Sequence, residues 1–171
     1  MESDEFLKAC RDGEVDRVKE ALRNKDPNLN VNERDSAYGY TPLIWACKNH
    51  RVEVVEQLLQ DPDIDVNLQD KYGQTPLSWC CSNGDIEIVR LLLDTPNIDV
   101  NKPRYFDNWT PLFRAICNEK IEIVKMILEA GGSVEVKGSE DSPSISALNF
   151  AKERKNSSIE IIHLLERYQS K

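Results

Sequence analysis

Apolar residues in this chain come in short bursts at helical spacing, separated by polar stretches rich in Asp, Asn and Gly. Val52, Val55, Leu58 and Leu59 form one set, Ile86, Val89, Leu92 and Leu93 a second, and Ile121, Val124, Ile127 and Leu128 a third. Each set predicts a short amphipathic helix with a single buried stripe. Ahead of each lies another helical burst that opens with Thr-Pro-Leu, at 41–43, 75–77 and 110–112. Thr is a strong N-cap, and Pro at the first helical position has no needed N–H to lose. The pattern therefore predicts pairs of helices, each pair started by its Thr.

Thr41, Thr75 and Thr110 lie 34 and 35 residues apart, and Asp-Val-Asn at 65–67 returns at 99–101, with Val31 and Asn32 as a partial earlier copy. Two independent markers keep one register, so the pairs are copies of one unit. The copies are expected at 33–67, 68–101 and 102–136, between a degenerate first copy at 3–32 and a closing one at 137–171. In the first copy Asp4 stands where Thr would cap. Phe6, Ala9 and Cys10 share one helix face, and Val15, Val18, Ala21 and Leu22 form the second stripe beneath a charged outer face. In the last copy residues 138–144 read as a polar loop, and Ser146-Ala147-Leu148 replaces Thr-Pro-Leu. Ile159, Ile162 and Leu165 then give the final stripe, with Glu160, His163, Glu166, Arg167 and Lys171 facing water.

The Thr-Pro-Leu starts and the period near 33 resemble the ankyrin-repeat family, over almost the whole chain. The resemblance implies an all-α repeat solenoid of about five stacked helix-turn-helix units, three regular repeats between degenerate N- and C-terminal caps, with short β-hairpin-like fingers. It also implies a positive φ in the link between the two helices of a pair, where the family usually has Gly. Gly84 suits that conformation. His50 and Glu119, at the same place, would each be strained by on the order of 1 kcal/mol, so Glu119→Gly is expected to be neutral to stabilising. Asn67 and Asn101, at the ends of the Asp-Val-Asn markers, are expected to bond the turn into the next repeat. The resemblance makes both candidates for hydroxylation by an asparagine hydroxylase.

Composition narrows the chemistry. A chain of 171 residues with 40% hydrophobic and 30% charged content fits one soluble folded domain. A net charge of −8 speaks against binding nucleic acid through its phosphates. No run of 18 apolar residues occurs and residues 1–5 lack signal-peptide character, so no membrane association is expected, and the expected setting is cytoplasmic or nuclear. The five cysteines are odd in number and lack CxxC spacing, which predicts reduced core thiols. With only His50 and His163 as imidazoles, no metal site is expected. No nucleophile motif, phosphate loop or zinc-hydrolase motif is present, and Ser78 has no base at helical spacing. The expectation is a non-enzymatic monomer without cofactors.

Binding surfaces follow from helix geometry. If Leu77, Cys80 and Cys81 face inward, Trp79, Ser82 and Asn83 face out on the same helix. Lys8, Trp45, Arg114 and Phe150 are the equivalents of Trp79, so a column with one residue per repeat is expected, with Lys48 beside it, and the resemblance implies that this side lines a concave face. Indoles flanked by cations suit an extended peptide or an acidic side chain. The finger tips offer Tyr38 and Tyr40, then Lys71, Tyr72 and Gln74, then Arg104, Tyr105, Phe106, Asn108 and Trp109. Of these, Tyr40 and Trp109 are also placed to pack between repeats. The function expected is protein–protein interaction, binding a protein or peptide through the groove and the aromatic tips. The alternative is a small anion chosen by Lys48 and Arg114, or a methylated cation caged by Trp45 and Trp79.

Overall fold

The computed structural model describes residues 2–24, 27, 29–136, 144–154 and 157–169. Lys171 and all but the last residue of the expected polar loop lie outside these. The described residues form ten helices in five pairs. They are α1 (Ser3–Asp12) with α2 (Val15–Asn24), α3 (Pro42–Lys48) with α4 (Val52–Leu59), and α5 (Pro76–Asn83) with α6 (Ile86–Leu93). The remaining pairs are α7 (Pro111–Cys117) with α8 (Ile121–Glu129) and α9 (Ala147–Glu153) with α10 (Ile159–Gln169).

The Thr starts work mostly as expected. Thr41 Oγ1 accepts from the Ile44 N–H at 3.2 Å and Thr75 Oγ1 from Ser78 at 3.1 Å, and Ser146 does the same for Asn149 at 3.2 Å. Thr110 is the exception: it has the extended N-cap backbone, but its buried hydroxyl makes no capping bond. Asp4 is no cap either. Helix α1 begins at Ser3, so Asp4 sits in its first turn, where its charge meets the positive end of the helix dipole.

Helices α1, α3, α5, α7 and α9 pack successively as an inner layer, and α2, α4, α6, α8 and α10 as an outer one. Between the layers lie Phe6, Leu43, Leu58, Leu77, Leu92, Leu112, Phe113 and Ile127, all fully buried. The outer-helix stripes differ from the expected sets. Val54, Ile88 and Ile123 are buried, while Val52 and Ile121 are half-buried and Ile86 is exposed. Each internal outer helix touches its inner partner and the outer helices on both sides, so its covered face is broader and rotated from a single stripe.

Each finger is a turn held by two backbone bonds, Asp35 N to Tyr40 O with Gly39 N to Asp35 O, Asp70 N to Gln74 O with Gly73 N to Asp70 O, and Arg104 N to Trp109 O with Asn108 N to Arg104 O, at 3.0 to 3.1 Å. Among the described residues, only the last unit has a true two-stranded ladder, β1 (Glu135–Val136) against β2 (Ile145–Ser146). Gly73, at φ +81°, is the tightest point: a Cβ there would lie 2.5 Å from the Tyr105 backbone nitrogen. An Asn ladder joins the units as expected. Asn67 accepts from Asp99 N and donates to Asn97 O, both at 2.8 Å, and Asn32 and Asn101 repeat that pattern.

His50 and Glu119 do hold positive φ, 58° and 55°. Their side chains, however, reach the next unit. His50 Nδ1 lies 2.5 Å from Asp85 Oδ1, and the Glu119 carboxylate accepts the Ser158 N–H at 2.8 Å, just ahead of α10. Glu119 therefore has a capping task that the sequence pattern hid, and the expectation for its glycine variant changes sign.

Candidate functional site

The solvent face of the inner layer carries the expected column, but its members are not free. Tyr40 stands edge-on to Trp45, with ring centroids 4.9 Å apart, and edge-on to Trp79 at 5.7 Å, while its other side stacks on Tyr38 at 5.1 Å. Trp79 donates from Nε1 to Asp70 Oδ2 at 3.0 Å. Lys48 Nζ lies 4.5 Å from the Trp79 ring centroid and 5.9 Å from that of Tyr40, and the Arg11 guanidinium lies 5.6 Å from Trp45. The two indoles thus do not face each other across an open gap. The chain's own Lys48 takes the place a caged cation would need, which removes the methyl-cation reading. At the far end Phe150 packs on Trp109 and Phe113, beneath Arg154.

Asp70 organises this cluster, and it was not among the expected residues. It is buried, accepts the N–H groups of Tyr72 and Gln74 through Oδ1, and holds Trp79 through Oδ2. Its signal was present in Asp70-Lys71-Tyr72-Gly73, an Asp-initiated turn closed by Gly. The neighbouring Gln74 and Tyr40, expected at the tips, are buried too. The residue before each Thr turns inward between fingers, which takes both off the candidate surface. Burial, then the nearby Asp70, pushes the Tyr40 phenol up to about 12.

The other finger residues divide between scaffold and surface. Lys71 Nζ bonds the carbonyls of Ser36 and Ala37, at 2.5 and 3.0 Å, and ties two fingers together. Arg104 forms a two-point pair with Asp107. Burial works to raise the Asp107 carboxyl, but Arg104 and the Trp109 N–H outweigh it and hold it below the ordinary carboxylate range. Trp109 is half-buried. Four aromatics remain in solvent on three successive fingers: Tyr38 at 46% exposure, Tyr72 at 48%, Tyr105 at 59% and Phe106 at 77%.

Arg114 is half-buried beside α5, with Nε donating to Ser82 Oγ at 2.9 Å. Desolvation, then the like charge of Arg104, draws its pKa below the usual value. Asn83 Nδ2 donates to the Lys48 carbonyl at 3.4 Å, joining α5 to α3. Four of the five cysteines are buried, and burial raises the Cys10, Cys80 and Cys81 thiols, Cys10 to about 12. Cys117 is half-buried, with Arg154 Nη1 3.3 Å from its sulfur. No described helix is long and apolar enough to cross a membrane.

Two overlapping stretches, residues 6–70 and 62–138, match the family model described as ankyrin repeats (3 copies). The chain belongs to the ankyrin-repeat family. No curated protein matches it. Ankyrin repeats are generally protein–protein interaction modules. In this ankyrin-repeat chain the match stops ahead of α9 and α10, where Ser146-Ala147-Leu148 departs from the Thr-Pro-Leu start.

Proposed function

We propose that this chain binds a protein or peptide partner through its aromatic finger tips and the adjoining concave face, acting as a monomer in the cytoplasm or nucleus and without a cofactor. The observation that supports this most is the row of Tyr38, Tyr72, Tyr105 and Phe106, exposed on consecutive fingers. Exposed rings of this size leave apolar area that a partner would bury at about 25 cal/mol per Å². Rings on short, cross-linked turns also lose little freedom on binding. Tyr105 leans on Gly73 and contributes to finger packing, so the cleaner probes are Tyr72 and Phe106. The double variant Tyr72→Ala, Phe106→Ala should lose partner capture while its melting curve stays close to the parent's. Undiminished capture would place the interface elsewhere.

Asn67 and Asn101 belong to the scaffold in this reading. Hydroxylation of either at Cβ remains a proposal, compatible with both amides keeping their inter-repeat bonds. One added oxygen on a peptide containing either residue, in protein from a eukaryotic host, is the result that supports it.

A further inference from the structure

We infer that Lys48 and Arg114 form a clamp across α5 that seats a carboxylate from an acidic segment of the partner protein. This rests on the partner-binding reading above and names the chemistry of the segment. Lys48 leans from α3 onto Trp79, and Arg114 leans from α7 onto Ser82. Trp79 and Ser82 are three residues apart on α5, and such positions lie side by side on a helix surface. Two cationic side chains from different repeats therefore rest on neighbouring positions of one helix, on the solvent face of the inner layer.

Neither cation has a carboxylate partner among the described residues. The chain holds 30 acidic residues against 22 Lys and Arg, and the ion pairs of the described residues include Arg11–Asp12, Arg17–Glu14, Arg104–Asp107 and Lys152–Glu166 but neither Lys48 nor Arg114. The acids around the clamp are committed: Asp70 holds Trp79 and its own turn, Asp107 holds Arg104, and Asp85 faces His50. Partial burial and the like charge of Arg104 both work against the Arg114 cation, and Asp107, already paired with Arg104, offsets this only in part. Ser82 fixes only Nε, which leaves the guanidinium's terminal nitrogens to make a two-point bond to a carboxylate. Ser82 is itself anchored, its hydroxyl donating to the Ser78 carbonyl at 3.1 Å. A net charge of −8 repels an extended polyanion, whereas a two-cation clamp matches a single acidic side chain flanked by neutral residues.

The test uses the folded protein and a displayed library of random peptides long enough to span the concave face. Peptides enriched on the parent protein should share an Asp or Glu at one position. Replacing that residue by its amide should weaken binding by about tenfold or more, the range of a charge-assisted bond. The double variant Lys48→Gln, Arg114→Gln should erase the distinction between acid and amide. Its melting curve checks the fold, and Arg114→Lys, which keeps the charge but loses the fork, should show a partial loss. Enriched peptides without a shared acid, still dependent on Tyr72 and Phe106, would overturn the clamp and leave the finger interface standing. Tenfold tighter binding when phosphoserine replaces the acid would reassign the clamp to phosphate and overturn the carboxylate assignment. No enrichment on the parent protein would count against both the clamp and the interface.

Discussion

Glu119 and His50 occupy the same place in their repeats and the same left-handed conformation, yet glycine should destabilise the fold at Glu119 and leave it nearly unchanged at His50. The backbone contribution is shared. Relief of positive-φ strain favours glycine by on the order of 1 kcal/mol, and the added freedom of the unfolded chain takes back about 0.4–1 kcal/mol. The side chains decide the outcome. The Glu119 carboxylate accepts the Ser158 N–H at 2.8 Å in a partly buried setting at the start of α10. A charge-assisted bond of this kind contributes about 1.5–3 kcal/mol, and placing an anion at a helix N-terminus adds about 0.3–1 kcal/mol. Glu119→Gly should therefore destabilise the fold by about 1–4 kcal/mol, or about 2–4 °C in Tm for each kcal/mol. The His50 side chain is 58% exposed, and an exposed pair such as His50–Asp85 contributes about 0–1 kcal/mol, so His50→Gly should stay within about 0.5 kcal/mol of the parent. Urea unfolding of both variants at neutral pH reads the difference directly. A Glu119→Gly protein as stable as the parent, or a His50→Gly protein equally weakened, would refute the capping argument.

Asp70→Ala should cost about 2–4 kcal/mol in urea unfolding, because it strands the Trp79 Nε1–H and two finger N–H groups in a buried setting. The near-ultraviolet Trp signal should change with it. Asp107 has a depressed pKa in the fold, so its contribution is present above the unfolded value near about 3.9 and is lost as pH falls through the folded value. Asp107→Asn should accordingly flatten the acid side of the stability–pH curve, and an unchanged slope there would contradict the pairing. Thiol titration of the native protein should label Cys117 alone, slowly, with all five cysteines reacting after denaturation. Prompt labelling of a second thiol in native protein would contradict the packed inner layer.

The fold was legible because Thr-Pro-Leu, in three units, and Asp-Val-Asn, in two, report recurring local demands, a helix start and a turn bonded across repeats. Residues whose role depends on the next repeat were not legible. Glu119 looks like a misfit within its own unit and becomes a cap only when Ser158 is brought beside it. Gln74 read as a tip residue because it borders a turn, and Tyr40 as a tip residue also placed to pack, yet fingers stack, and the position before each Thr is covered by its neighbour. Trp45 and Trp79 read as an open pair because periodicity places residues on a face and says nothing of Tyr40 or Lys48 between them. The exposure of Tyr72, Tyr105 and Phe106 was legible for the converse reason, since a short turn seldom needs an aromatic at its apex.

Within the proposed finger interface, Tyr72 and Phe106 are expected to serve binding and to be dispensable for folding. The most direct measurement is titration of a captured partner against the parent and the Tyr72→Ala, Phe106→Ala variant, with the melting temperature of each recorded alongside. The expected result is a Kd weakened by about tenfold or more at a nearly unchanged Tm. An unchanged Kd, or a loss of binding that only tracks a loss of fold, would contradict it.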